Sequence, residues 1–218
     1  MKYDDFFIAI YIHECKRYSM DLFFDNLLSC DIEGADIKIV DNSVTEDFSI
    51  ELSEKIGRNV HHINVSRYDP STQFLRNVTE SVSYLREMFL KTDKKYFVIV
   101  ESDVLPPKNF LDLFMEVIDD ADIIGGVYYA GVHRQELFEN DIFEETPHVL
   151  SGCTLYKREV IEKIPFRWST DNLGAFPDAW ICYDAVRKGN NFRLANYSKI
   201  KCGHYHKIDG SRGHENIT

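Results

Sequence analysis

Lys94-Lys95-Tyr96-Phe97-Val98-Ile99-Val100-Glu101-Ser102-Asp103-Val104-Leu105-Pro106-Pro107 is an apolar run that ends abruptly in two carboxylates one residue apart. Five consecutive β-prone residues, Tyr96 to Val100, read as a strand covered on both faces, and the proline pair forbids the ladder from continuing. Ligands of open α/β sheets bind at such carboxyl ends. Two acids there repel each other and cost desolvation unless a cation joins them. Hard oxygen ligands suit Mg2+ or Mn2+, commonly alongside substrate phosphates. The bland alternative is a solvated strand-to-loop turn, since acid-x-acid triplets are frequent in an acidic chain.

Outward from this stretch, strand and helix signals alternate. Phe6 to Ile12 reads as a buried first strand, followed by a helix from about Tyr18 to Leu28 with Leu22, Phe23, Leu27 and Leu28 at helical spacing. Ile37 to Val40 is a second strand that stops at the turn formers Asp41-Asn42-Ser43, before a short helix near Glu46 to Ile56. His61 to Val65 is a weak third strand. Asp69-Pro70 gives an N-cap with proline at the first helical position, opening a helix to about Lys91. This rhythm predicts an α/β fold with a mixed, mostly parallel central sheet, helices on both faces and right-handed crossovers.

The second half breaks the rhythm. Asp122 to Tyr129 and His148 to Tyr156 read as strands, separated by a polar stretch from Gly131 to Pro147 that is a candidate mobile lid. A short helix spans Lys157 to Lys163, and Pro177 opens another that closes at Gly189. Phe192 to Ala195 and Lys201 to His206 are the last strong segments. One domain over residues 1–206 with a polar, frayed tail over 207–218 is expected. There is no internal repeat and no low-complexity block.

Bulk properties narrow the class. The chain of 218 residues is 44% hydrophobic, enough for a substantial core. With 25 basic and 36 acidic residues the net charge is −11, which opposes affinity for nucleic acid or anionic membrane. No apolar stretch approaches the roughly 20 residues of a membrane span, and Met1-Lys2-Tyr3-Asp4-Asp5 lacks the basic start of a signal peptide, so a cytoplasmic protein is expected. The five cysteines form no CxxC pair and read as buried free thiols rather than disulfides or a zinc site.

Taken in order, these features resemble the nucleotide-sugar-dependent glycosyltransferases of the GT-A fold, the large family 2-like group, over roughly residues 5 to 206. Val40-Asp41-Asn42-Ser43 resembles the family's second strand and its Asp-Asn-Ser turn, which implies that Asp41 hydrogen-bonds the nucleotide base; His13 and Glu14 end the first strand beside that pocket. Leu75-Arg76-Asn77 is similar to the family's Ala-Arg-Asn and implies Arg76 near the nucleotide. Glu101-Ser102-Asp103 matches the acid-x-acid motif. The match implies Asp103 as direct metal ligand, Glu101 as a ribose or outer metal contact, and Ser102 beside the nucleotide.

Ser151-Gly152-Cys153-Thr154-Leu155-Tyr156-Lys157 through Pro165-Phe166 resembles the family's glycine-containing strand, basic turn, helix and Pro-Phe exit. Phe176-Pro177-Asp178 resembles the segment where inverting members carry the catalytic base, and Cys202-Gly203-His204 the late Gly-His whose histidine completes a metal site. Two departures stand out: Glu101 replaces the usual first aspartate, and Asp178 lacks the acidic neighbour often found before it.

The resemblance therefore implies a nucleotide diphosphate sugar as donor, Mn2+ or Mg2+ as cofactor, and a glycan, protein or small molecule as acceptor. Each assignment has a plainer reading: Asp178 as a helix-start acid, Asp41 as a turn cap, Arg76 as a solvated helix face, His204 or His206 as structural, Trp180 as packing rather than a stacking platform for an acceptor sugar. Two other functions remain open. One is a nucleotidyltransferase, against which stands the lack of a Gly-rich basic loop after the first strand, where Ile12-His13-Glu14-Cys15-Lys16-Arg17 occurs instead. The other is a non-catalytic carbohydrate- or nucleotide-binding module.

Overall fold

The computed structural model describes residues 1–64, 70–128, 140–149, 152–169, 176–187, 189–207 and 213–215. The first half follows the expected alternation: β1 (Phe6–Ile12), a 3-10 turn (Glu14–Ser19), α1 (Met20–Leu28), β2 (Asp36–Asp41), α2 (Asp47–Ile56), β3 (Val60–His62), α3 (Pro70–Leu90) and β4 (Tyr96–Val100). Then come β5 (Val104–Leu105), α4 (Phe110–Glu116), β6 (Ile123–Tyr128), β7 (Phe143–Glu145), β8 (Cys153–Lys157), α5 (Arg158–Lys163), α6 (Pro177–Arg187), β9 (Leu194–Lys207) and β10 (Gly213–Glu215).

The sheet runs β10-β9-β6-β8-β4-β1-β2-β3. Strands β3, β2, β1 and β4 are mutually parallel, and β8 runs antiparallel to both β4 and β6. Period-two alternation explains why β1 and β4 are apolar throughout. Phe6, Ile8, Ile10, Ile12, Val98 and Val100 face one core layer, whereas Phe7, Ala9, Phe97 and Ile99 face the other. Helix α1 covers the first layer with Met20, Phe23, Phe24 and Leu27, and α3 covers the second with Val78, Val82, Leu85 and Phe89, both at helical spacing. All five cysteines are free thiols, four of them buried and Cys15 exposed.

The second half departs from expectation in three places. Leu194 and Ala195 of the first expected segment and Lys201–His206 of the second belong to one strand, β9, of 14 residues, which begins at Leu194. The intervening polar residues look like a break in the sequence, but they are hydrogen-bonded within the sheet: β7 pairs with Ala195, Asn196 and Tyr197, and the Ser198 hydroxyl lies 3.0 Å from the Ile142 carbonyl. Strand β7 itself falls within the stretch read as an irregular lid, and residues 131–139 of that stretch lie outside the described residues. Within the expected C-terminal tail, 213–215 pair with β9 as an antiparallel strand. No helix among the described residues is long and apolar enough to cross a membrane.

Candidate active site

A cleft of about 430 Å³ opens where β1, β2 and β4 end. Its floor and walls come from Tyr11, His13, Lys16, Asn42, Asn77, Glu101, Ser102 and Asp103, with Phe74 and Phe176 standing at its edge. These two rings meet edge to face, 6.1 Å apart, although they are 56% and 48% exposed. A second cavity of about 30 Å³ shares Tyr11, Val78, Glu101 and Phe176 with the cleft and adds Tyr156 and Asp178.

The acid-x-acid loop is the centre of the site. The Glu101 amide donates to the Gly152 carbonyl at 2.9 Å, anchoring the loop to the start of β8. Glu101 Oε1 accepts from the Tyr11 hydroxyl at 2.8 Å. The Ser102 carbonyl accepts from the Ser19 hydroxyl at 3.0 Å. Val104 pairs with His204 and the Tyr205 amide donates to the Asp103 carbonyl at 2.8 Å, so the short β5–β9 ladder sets His204 beside Asp103. His204 Nε2 lies 3.6 Å from Asp103 Oδ2, and the same oxygen takes the Lys16 ammonium.

Burial by itself would raise the Asp103 carboxyl, but His204 and the Lys16 charge outweigh it and hold that carboxyl below its ordinary value. Burial pulls Lys16 the other way, and Asp103 more than compensates, so the ammonium stands above its ordinary value. Gly152 leaves room for this corner: a Cβ there would lie 2.8 Å from the Tyr128 ring and 2.9 Å from Val104. Tyr128 in turn packs edge to face on His204, with centroids 4.6 Å apart.

The Asp41-Asn42-Ser43 turn is held by its own hydrogen bonds. Asp41 Oδ1 accepts from the Ser43 amide at 2.9 Å and from the Ser43 hydroxyl. Asn42 donates to Ser81 on α3 at 2.9 Å, and Ser43 Oγ accepts from the Glu14 amide at 2.8 Å. Asp41 is fully buried, with Oδ2 lacking a hydrogen-bond partner among the described residues, and does not reach the cleft lining; the adjacent Asn42 does. Burial raises its carboxyl above the ordinary value, against the opposing pull of Ser43. Arg76 lies 4.5 Å over the Trp168 ring, and the cleft lining takes Asn77 in its place. His13 lines the cleft while its Nδ1 accepts the Cys15 amide at 3.0 Å, capping the 3-10 turn.

Asp178 sits in the first turn of α6 on the smaller cavity, 3.9 Å from His148 Nε2. Helix α6 is fixed by Arg167, whose guanidinium makes two hydrogen bonds to buried Asp184, at 2.8 and 2.9 Å, and stacks 3.7 Å over Trp180. Trp180 is buried and meets Tyr183 edge to face, so its environment is that of packing. The side chain of His206 lies outside the described residues. Lys16 and His148 carry no motif in the sequence. Only the register of the 3-10 turn against Asp103, and of 148 against α6, brings them to the site.

Asp103 and His204 supply one hard oxygen and one imidazole nitrogen at a common point, a donor pair that suits Mn2+ or Mg2+ completed by phosphate oxygens and water. No group of three or more His, Cys, Asp or Glu poised for a metal occurs among the described residues.

The sheet order and its flanking helices define the GT-A fold. Solved structures similar to the chain are GT-A-type glycosyltransferases. S. aureus TarS 1-349 in complex with UDP-GlcNAc superposes with a TM-score of 0.62 at 16% identity, covering 95% of this chain and 60% of that one. The mannosyltransferase PcManGT from Pyrobaculum calidifontis, in complex with GDP-Man and Mn2+, gives 0.62 at 14% identity over 91% and 56%. Glucosyl-3-phosphoglycerate synthase from Mycobacterium tuberculosis, in complex with phosphoglyceric acid, gives 0.58 at 14% identity over 93% and 72%. The chain thus spans three fifths or less of the TarS and PcManGT chains. No family model and no curated protein sequence matches it.

Proposed function

We propose that the protein transfers a sugar from a nucleoside diphosphate sugar to an acceptor hydroxyl, with inversion at the anomeric carbon. The observation that carries this reading is the 430 Å³ cleft at the carboxyl ends of β1, β2 and β4 that terminates on Asp103, with Asp178 on the adjoining cavity. Its volume falls in the usual range for small-ligand sites, and its position is where doubly wound sheets bind nucleotides. The neighbours in complex with UDP-GlcNAc and GDP-Man support the same ligand class.

In this reading Asn42, Asn77 and the backbone around His13 hold the nucleoside, and Glu101 and Ser102 face the ribose and diphosphate. Asp103 and His204 would hold Mn2+ or Mg2+, which as a Lewis acid lowers the cost of the departing diphosphate's charge. Asp178 takes the proton of the acceptor hydroxyl as that oxygen bonds to the anomeric carbon and the bond from that carbon to the diphosphate breaks. Phe74 and Phe176 offer apolar faces at the rim that would receive an acceptor, be it a glycan, a protein or a small molecule.

The test is a thermal-shift panel of UDP, GDP, ADP, CDP and dTDP, each with and without Mn2+, because a ligand of the native state raises stability by mass action. Stabilisation by one base with Mn2+, lost in Asp103→Asn, is the expected result. No shift with any of the five overturns the proposal.

A further inference from the structure

The cleft contains two carboxylates, Glu101 and Asp103, and is read above as the seat of a doubly charged diphosphate. Among the described residues Lys16 is the only lysine or arginine in its lining. Its position is set from three sides. His13 caps the start of the 3-10 turn, Arg17 pairs with Glu51 on α2, and Tyr18 stacks on Tyr205 of β9 with centroids 5.7 Å apart. The Ser19 hydroxyl lies within hydrogen-bond distance of both the Lys16 and Ser102 carbonyls, 2.8 and 3.0 Å away, and ties the turn to the acid-x-acid loop. A clamped backbone therefore carries a flexible four-carbon arm with a compact charge at its end.

That charge rests on Asp103 Oδ2, the oxygen His204 Nε2 also approaches and the one a divalent ion shared by Asp103 and His204 would need. An ammonium and a metal ion cannot share it, because both are cations at contact distance in a poorly solvated corner. We propose that Lys16 is the site's resident cation. It holds Asp103 when no divalent ion is bound, and when one arrives it swings off the carboxylate onto the phosphates of the nucleotide. Lys16 and the ion thus take Asp103 in turn. The inference rests on the reading of the cleft as a nucleoside diphosphate site for its second half only; competition for Asp103 stands independently of the nucleotide.

The experiment measures Mn2+ binding to the nucleotide-free protein by the electron paramagnetic resonance signal of free Mn2+, for wild type, Lys16→Met, Lys16→Gln and Lys16→Arg. Thermal melts of each confirm the native fold. The neutral variants are expected to bind Mn2+ about tenfold more tightly, equivalent to about 1.4 kcal/mol, with the arginine variant close to wild type. With saturating Mn2+, calorimetry with UDP, GDP, ADP, CDP and dTDP should show the best of these losing about tenfold in affinity for Lys16→Met, because the phosphate contact supplied by the swing is gone. Equal Mn2+ affinity in wild type and both neutral variants overturns the proposal, and so does no Mn2+ binding by any of them. If wild type binds Mn2+ but none of the five nucleotides, the functional reading fails, while the Mn2+ comparison still decides the role of Lys16.

Discussion

Asp41 and Asp103 stand at the carboxyl ends of two strands of one sheet, exposed by 0% and 5%, and their surroundings are opposite. Among the described residues the Asp41 carboxyl has only the Ser43 amide and hydroxyl as hydrogen-bond donors, and it is held above the ordinary value. Asp103 has an ammonium and an imidazole, and is held below it. Equal concealment therefore does not mean equal charge: the Asp103 corner has its counter-charge built in, whereas the donors described at the Asp41 carboxyl are neutral. In the proposed function the difference separates a residue that shapes the cleft from one that acts in it.

If Asp103 serves binding, proton transfer must belong to another carboxylate, and the largest effect should be seen at Asp178. Asp178→Asn is expected to lower sugar transfer by about 10²–10⁴-fold, with nucleoside diphosphate affinity, measured calorimetrically, within about twofold of wild type. Loss of affinity with the turnover unchanged would reverse the two roles.

Asp103→Asn should instead act on stability as well as binding. Removing one partner of a fully buried pair costs ~3–5 kcal/mol; with Lys16 about a third exposed, ~2 kcal/mol is expected at pH 7 in urea unfolding. Because the folded-state value lies below that of the unfolded chain, this contribution is present above about pH 4 and fades as pH falls through the folded value. The gap between wild type and variant should therefore close in acid.

Gly152→Ala tests the packing behind the same corner. The added Cβ must displace Tyr128 or Val104, at a cost of about 1–2 kcal/mol by the usual overpacking range. Since Tyr128 rests on His204, Mn2+ affinity should fall with stability in the variant. An unchanged melting temperature would show that the ring moves freely aside.

The smallest effect sharpens the contrast. Asp41→Asn keeps an acceptor for Ser43 and removes the ionisation that burial opposes. It should change stability by under about 1 kcal/mol, with the opposite pH trend to Asp103→Asn. Wild type loses ground to this variant as pH rises through the raised Asp41 value, and the two converge below about pH 4. Parallel pH profiles for the two variants would erase the distinction between the two carboxylates.

Much of this was legible from residues alone where local signals agree. The run from Tyr96 to Val100, the proline at residue 70 and the apolar first strand each specify one element, and the parallel half of the sheet follows from their alternation. The second half is less legible because its pairings are non-local. Nothing in Asn196-Tyr197-Ser198-Lys199 announces a strand; β7, over fifty residues earlier, supplies the partners that satisfy it. The site divides the same way. Acid-x-acid chemistry marks Asp103, and proline at a helix start marks Asp178. Lys16 has no sequence signature, since its role depends on a turn docking against a loop 87 residues away. Asn42 and Asn77, rather than their neighbours Asp41 and Arg76, meet the cleft, and a one-residue choice of this kind is decided by strand pleat and helix phase.

Strand β9 also has a consequence for how such a chain can change over generations. Its register against β6 shifts between Gly125–Asn196 and Val127–Lys201, so the irregularity is confined to a short stretch ahead of Lys201. Beyond it the count is rigid: losing or gaining one residue between Lys201 and His204 would turn the imidazole to the opposite face of the sheet. Substitutions can be absorbed singly here, but length changes cannot. A library of one-residue insertions and deletions should tolerate 197–200 far better than 201–204, an asymmetry that point mutations would never reveal.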